Sequence, residues 1–175
     1  RRMFNIIKIA KFSFVALCLF AIATAHSAST VADKSIDLAD SGRLFGADEL
    51  AFPDSPNSLT TWLGQRSPAA KVNLFGGSYW LYADVRHSQA TTEWVLDPNN
   101  TLIDRVEARI YAPDGSVQQL QTGYRHDHEF MLHYGKSMVL QPNVDYRILI
   151  KFSSPYFASN PRFEVLPTSS YRARV

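Results

Sequence analysis

Arg125-His126-Asp127-His128-Glu129, with His133 close behind, concentrates more metal-ligating groups than any other stretch of this 175-residue chain. In an extended segment His126 and His128 point to the same side, as two ligands of a divalent cation can. Asp127 or His133 would have to supply a third ligand. A polar loop with exposed histidines has the same composition. No cofactor other than a divalent cation is suggested by the sequence. Asp97, Asn99 and Asn100 offer oxygens suited to calcium, but Asp97-Pro98-Asn99-Asn100 also spells an ordinary turn, and that is the preferred reading.

A second candidate is aromatic. Trp80 and Tyr82 alternate along one strand and share a face with Asp84 and Arg86. Sugar rings stack on exposed aromatic faces while charged groups bind their hydroxyls, and a small organic ligand in a concave sheet would need the same parts. Aromatic pairs at this spacing also build cores. Asp84 and Arg86 argue that the Trp80 face is the wetter one. Arg147 with Lys151, and Glu107 with Arg109, either pair across neighbouring strands or line an anion-binding groove, with surface pairing the simpler outcome. The expected ligand-binding set is Trp80, Tyr82, Arg86 and Arg147.

Enzymatic signatures are missing. The sequence has no Gly-x-Ser-x-Gly elbow, phosphate loop or dinucleotide fingerprint. Its one cysteine, Cys18, lies in an apolar leader. Paired carboxylates for glycoside hydrolysis need not be close in sequence, but no spacing points to them. The expectation is a non-catalytic protein.

The elements that would position these residues are strands. Val106 to Gly123 is the clearest: Val106, Ala108 and Ile110 alternate with Glu107, Arg109 and Tyr111, as in a half-buried antiparallel strand. Ala112-Pro113-Asp114-Gly115 supplies a turn. Ser78–Arg86 and Tyr146–Phe152 alternate in the same way, and Thr91–Leu96 is a further strand. Short strands are expected at Glu129–Leu132, Ser137–Leu140 and Arg162–Leu166, with a first one at Ser35–Asp40. Ser58 reads as the N-cap of a short helix, Leu59–Gln65, with Trp62 and Leu63 on its buried side. About eight strands with regular turns predict an all-β jelly-roll sandwich with one short N-terminal helix.

The first residues set the location. Arg1, Arg2, Lys8 and Lys11 precede the 12-residue apolar run Phe12–Ala23, and Ala23-Thr24-Ala25 fits a cleavage site. This is the layout of a secretory signal peptide; a stable span needs about 20 residues. Leu17 before Cys18 does not suit lipidation. Cleavage after Ala25 leaves 14 basic against 16 acidic residues, a net charge of −2 in place of +2. No basic footprint for nucleic acid remains. No cysteine remains either, so a packed core must supply the stability. The expected organisation is a signal peptide at 1–25, a lead-in segment at 26–57 and the sandwich at 58–175.

The strings GGSYWLYADV, EWVLDPNN, RVEARIYAPDGSVQQLQTG and YRILIKFSS, preceded by the helix LTTWLGQ, resemble the extracellular sensor domain of DISM-type bacterial seven-transmembrane receptors, which carry diverse intracellular signalling modules. The resemblance runs from about Trp62 to Tyr171. It implies a jelly roll similar to carbohydrate-binding modules and a periplasmic sensor that binds a small molecule or carbohydrate. It also implies a membrane-embedded signalling region of the same parent protein as partner, with output through a cyclic-di-GMP enzyme or histidine kinase. Family members continue into seven membrane helices, whereas this sequence stops at Val175, so a fragment of a longer receptor is expected. The alternative is a free-standing secreted carbohydrate-binding or adhesion module.

Overall fold

The structure, a computed structural model, describes residues 34–175 apart from 48, 49 and 101. The expected signal peptide lies outside the described residues. Two antiparallel sheets face each other. One carries four strands in the order β1 (Ile36–Asp37), β10 (Glu164–Pro167), β5 (Glu93–Asp97), β8 (Lys136–Val139). The other carries six, in the order β3 (Pro68–Ala69), β2 (Arg43–Gly46), β4 (Gly77–Val85), β9 (Tyr146–Ser154), β6 (Arg105–Tyr111), β7 (Val117–Thr122). The expected all-β sandwich is therefore present. Among the described residues three helices accompany it: α1 (Leu38–Ser41), α2 (Pro56–Gly64) and α3 (Thr168–Arg172).

The main core follows from strand alternation. Leu81, Ala83 and Val85 of β4, Ile148, Ile150 and Phe152 of β9, and Val106, Ala108 and Ile110 of β6 point inward. Trp94, Leu96, Met138 and Val165 meet them from the smaller sheet. Each fully buried large apolar side chain contributes about 1.5–3 kcal/mol. The β6–β7 hairpin closes as its sequence predicts. Gly115 takes φ 91°, its N–H donates to the Ala112 carbonyl at 3.1 Å, and the Asp114 carboxylate accepts from the Ser116 N–H at 2.9 Å.

Four expectations need correction. β1 and β2 pair with β10 and β4, so residues before 58 belong to the sandwich; two strands of two and four residues are too short to show alternation. Only Ile36–Asp37 of the expected first strand is extended before α1 begins. The helix α2 is capped by Ser55, not Ser58: the two serines form a reciprocal box in which each side chain accepts the other's backbone N–H, with Pro56 at the first helical position. Glu129–Leu132 forms no strand; Phe130 makes a single bridge to His133, and Leu132 sits at φ 62°, where a strand cannot continue.

Candidate functional site

Strand register turns the outer face of the six-stranded sheet into a grid. Phe45, Trp80, Lys151, Glu107 and Gln121 form one row across β2, β4, β9, β6 and β7. Arg43, Tyr82, Leu149, Arg109 and Gln119 form the next. Aromatic residues lie at the β2–β4 side and planar polar residues at the β6–β7 side.

The aromatic half is covered. The chain between β2 and β3 runs back over it and lays down Phe52 and α2. Trp62 and Phe52 pack edge-on against Trp80, with ring centroids 5.1 and 4.8 Å away. Trp80 is 0% exposed and Tyr82 3%. The expectation that the Trp80 face is the wetter one is overturned. Asp84 and Arg86 are indeed exposed at the end of the strand, but the charge does not carry solvent to Trp80 and Tyr82: Tyr82 donates to Asp84 at 2.6 Å and accepts from the Arg147 Nε at 3.0 Å. Burial, with the Asp84 hydrogen bond second, pushes the Tyr82 phenol above its ordinary range.

Polar clasps hold this cover. Arg147 Nη1 donates to the Pro56 carbonyl at 3.0 Å and to Thr60 Oγ1 at 2.8 Å. The Tyr111 hydroxyl donates to the Pro53 carbonyl at 2.6 Å, and burial pushes its pKa up to about 12. Lys151 and Arg66 place cations over the Trp80 and Trp62 rings, at 5.1 and 3.8 Å. The indole N–H groups of Trp62 and Trp80 are buried without acceptors, so the cover rests mainly on apolar packing.

The polar half is open. Glu107, Arg109, Gln119 and Gln121 floor a groove of about 370 Å³. Phe52 walls it on the covered side, and His126, Asp127 and Lys136 form the opposite lip. Arg109 is steadied by the Pro53 carbonyl at 3.3 Å and lies 5.0 Å over the Phe52 ring. Such a floor can bind hydroxyls through planar amide, carboxylate and guanidinium groups while the aromatic wall meets an apolar face.

The structure thus disperses the expected ligand set. Trp80, Tyr82 and Arg147 lie together under the cover, whereas Arg86 forms an exposed pair with Asp145 at 3.1 Å. Phe52, Gln119 and Gln121 had escaped the sequence reading. The two glutamines were legible as the polar alternation of β7; Phe52 reaches the groove only through tertiary packing.

The histidine pair also separates. Residues 123–126 turn rather than extend, so His126 lines the groove while His128 packs against Tyr134 with the rings tilted and their centroids 4.9 Å apart. Among the described residues no group of three or more His, Cys, Asp or Glu is placed to hold a metal ion. Asp97 and Asn100 accept the backbone N–H groups of Asn99 and Leu102, both at 2.8 Å, which is the turn reading of that segment.

A family model described as 7TMR-DISM extracellular 2 matches residues 38–162. The chain belongs to this family. It is an extracellular domain of the kind carried by DISM seven-transmembrane receptors, a receptor family rather than a catalytic one. The match begins at Leu38, inside the segment set apart as a lead-in, and takes in the six-stranded sheet, the groove, and β5 and β8 of the smaller sheet of this DISM domain, with β1 and β10 just outside it. No curated protein matches the chain. No helix among the described residues is long and apolar enough to cross a membrane.

Proposed function

We propose that this DISM domain is a periplasmic sensor that binds a small carbohydrate in the open groove of the six-stranded sheet. Binding there would bias a membrane-embedded signalling region of the same receptor, whose output is a cyclic-di-GMP enzyme or a histidine kinase. The observation that carries the ligand reading is the juxtaposition of four planar polar side chains with one aromatic wall. Glu107, Arg109, Gln119 and Gln121 present donors and acceptors in a plane, and Phe52 stands at its edge. On this reading the domain acts by binding, in keeping with its receptor family. His126 and Asp127 belong to the connection between β7 and β8, so a ligand touching them and the groove floor would bridge that connection and the sheet.

The test is thermal-shift screening of the compact unit Ala32–Val175 against a panel of mono- and oligosaccharides, amino acids and divalent ions. A native-state binder raises the midpoint. A sugar-induced rise that disappears in Glu107→Ala/Gln121→Ala supports the proposal. A flat response across the sugars sinks it, and so does a rise that survives the double substitution.

A further inference from the structure

The ends of the sandwich differ in a way that the groove does not explain. Ten large apolar residues are exposed among the described residues, and seven of them lie in four loops at one end. Leu74 and Phe75 precede β4, Leu102 joins β5 to β6, Tyr124, Met131 and Leu132 join β7 to β8, and Tyr156 follows β9. The loops at the opposite end, residues 86–92, 112–116 and 140–145, carry none of the ten. Register sets the four loops side by side, since Gly77 faces Ser154, Arg105 faces Ser153 and Asp97 faces Glu164. Hydrogen bonds tie them together: Phe157 N–H to the Leu74 carbonyl, Ser154 Oγ to the Leu102 carbonyl and Tyr124 N–H to the Ile103 carbonyl, all at 3.0 Å.

We propose that this end docks on the lipid bilayer, with the loop tips inserted at the interface between headgroups and acyl chains. Phe75 is 93% exposed, Met131 86% and Leu132 78%. The seven side chains sit on four different loops and not on one strand or helix face. A protein partner or a second copy needs contiguous area; a fluid bilayer does not. Tyr124 and Tyr156 suit the headgroup level. Charge points the same way. Arg125 pairs with Asp104 at 2.8 Å, Lys136 with Glu129 at 3.4 Å and Arg162 with Asp37, whereas Lys71, exposed beside Leu74 and Phe75, and Arg105 at the start of β6 are left to meet lipid phosphates. The C-terminal residues run to this end as well: Arg174 reaches Glu164 at 2.6 Å, and Glu164 faces Asp97 at the rim. The proposal rests on the receptor placement of the domain and is independent of the sugar groove.

The test uses the unit Ala32–Val175, whose sheets and core clusters are complete within itself. It is tethered by a C-terminal histidine tag to nickel-chelating vesicles of phosphatidylethanolamine and phosphatidylglycerol. Phe75→Trp reports on the loop end and Ser116→Trp on the other, against the constant background of buried Trp62, Trp80 and Trp94. The expected result is a blue shift and severalfold stronger quenching by acyl-chain-brominated lipid for Phe75→Trp, removed by adding Leu74→Ser, Met131→Ser and Leu132→Ser. Equal quenching at both ends overturns the proposal. A blue shift that grows with protein concentration without vesicles also overturns it, in favour of a second copy. Insertion seen only in the intact receptor transfers the surface to the membrane helices and overturns it too. None of these outcomes touches the sugar-induced thermal shift, so failure here and failure of the groove are read separately.

Discussion

The two halves of the six-stranded sheet's outer face share strands, twist and register, yet one is sealed and the other open. The sealed half holds Trp80, Tyr82 and Arg147 beneath Phe52 and α2. The open half holds Glu107, Arg109, Gln119 and Gln121 around a groove. What differs is the side chain at each grid point. Aromatic rings on β2 and β4 leave area that water does not satisfy, and a segment of the chain itself covers it. Amides and a carboxylate on β6 and β7 can be satisfied by water, so that half needs no cover from the chain. In a sheet with one face on the core, the composition of the second face decides whether the chain must cover it or can leave it to solvent.

Trp80→Ala should produce the largest effect. Loss of a fully buried Trp costs about 3–5 kcal/mol, read as a lower denaturation midpoint with earlier proteolysis across residues 47–66. Retained stability with lost sugar binding would instead break the comparison, because the sealed half would then be the ligand face.

Arg147→Ala comes next. It removes charged hydrogen bonds to Pro56 and Thr60 and leaves the Tyr82–Asp84 pair unattended, about 1.5–3 kcal/mol by denaturant titration. The proteolytic susceptibility of α2 should rise while sugar affinity changes little.

Tyr111→Phe should remove about 1 kcal/mol at neutral pH through its bond to Pro53. It also sharpens the comparison by pH. The folded phenol keeps its proton up to about 12, whereas the unfolded one releases it near 10. The native state therefore binds more protons in that window, and stability is present below pH 10 and falls as pH rises through it. Urea titrations of the variant should show a shallower alkaline fall than wild type. Equal slopes would place the alkaline loss elsewhere.

The smallest effect on stability belongs to the open half. Glu107→Ala/Gln121→Ala should stay within about 0.5 kcal/mol of wild type by denaturant titration. A destabilisation as large as that of Trp80→Ala would mean that both halves are structural.

Much of this architecture could be read in the sequence, though unevenly. The β6–β7 hairpin, β4 and β9 were legible because alternation and turn chemistry are local. The inward set Leu81, Ala83 and Val85 was legible for the same reason. The state of the Trp80 face was not, because burial on the second face of a sheet depends on what crosses it, and Phe52 and Trp62 come from elsewhere in the chain. Asp84 and Arg86 misled because they are exposed themselves, while the two aromatics that precede them on the same face are covered. Arg147, opposite Asp84 across β4 and β9, is far away in sequence. The His126/His128 pair failed through a local assumption, extended backbone, that a run of turns does not honour. The floor of the groove was half legible: Glu107 and Arg109 were singled out, and Gln119 and Gln121 face them only after register is set.

Gly135 and Tyr171 leave a constraint of another kind. The Tyr171 hydroxyl accepts the Gly135 N–H at 3.0 Å, and a Cβ on Gly135 would lie 2.3 Å from the ring. The hydroxyl is held protonated, burial pushing its pKa up to about 12. Position 135 thus has room for hydrogen only while position 171 keeps its ring. Across the family the two positions should covary: relatives with a side chain at the first should carry a smaller residue at the second. An alignment in which they change independently would show that α3 docks differently from one receptor to the next.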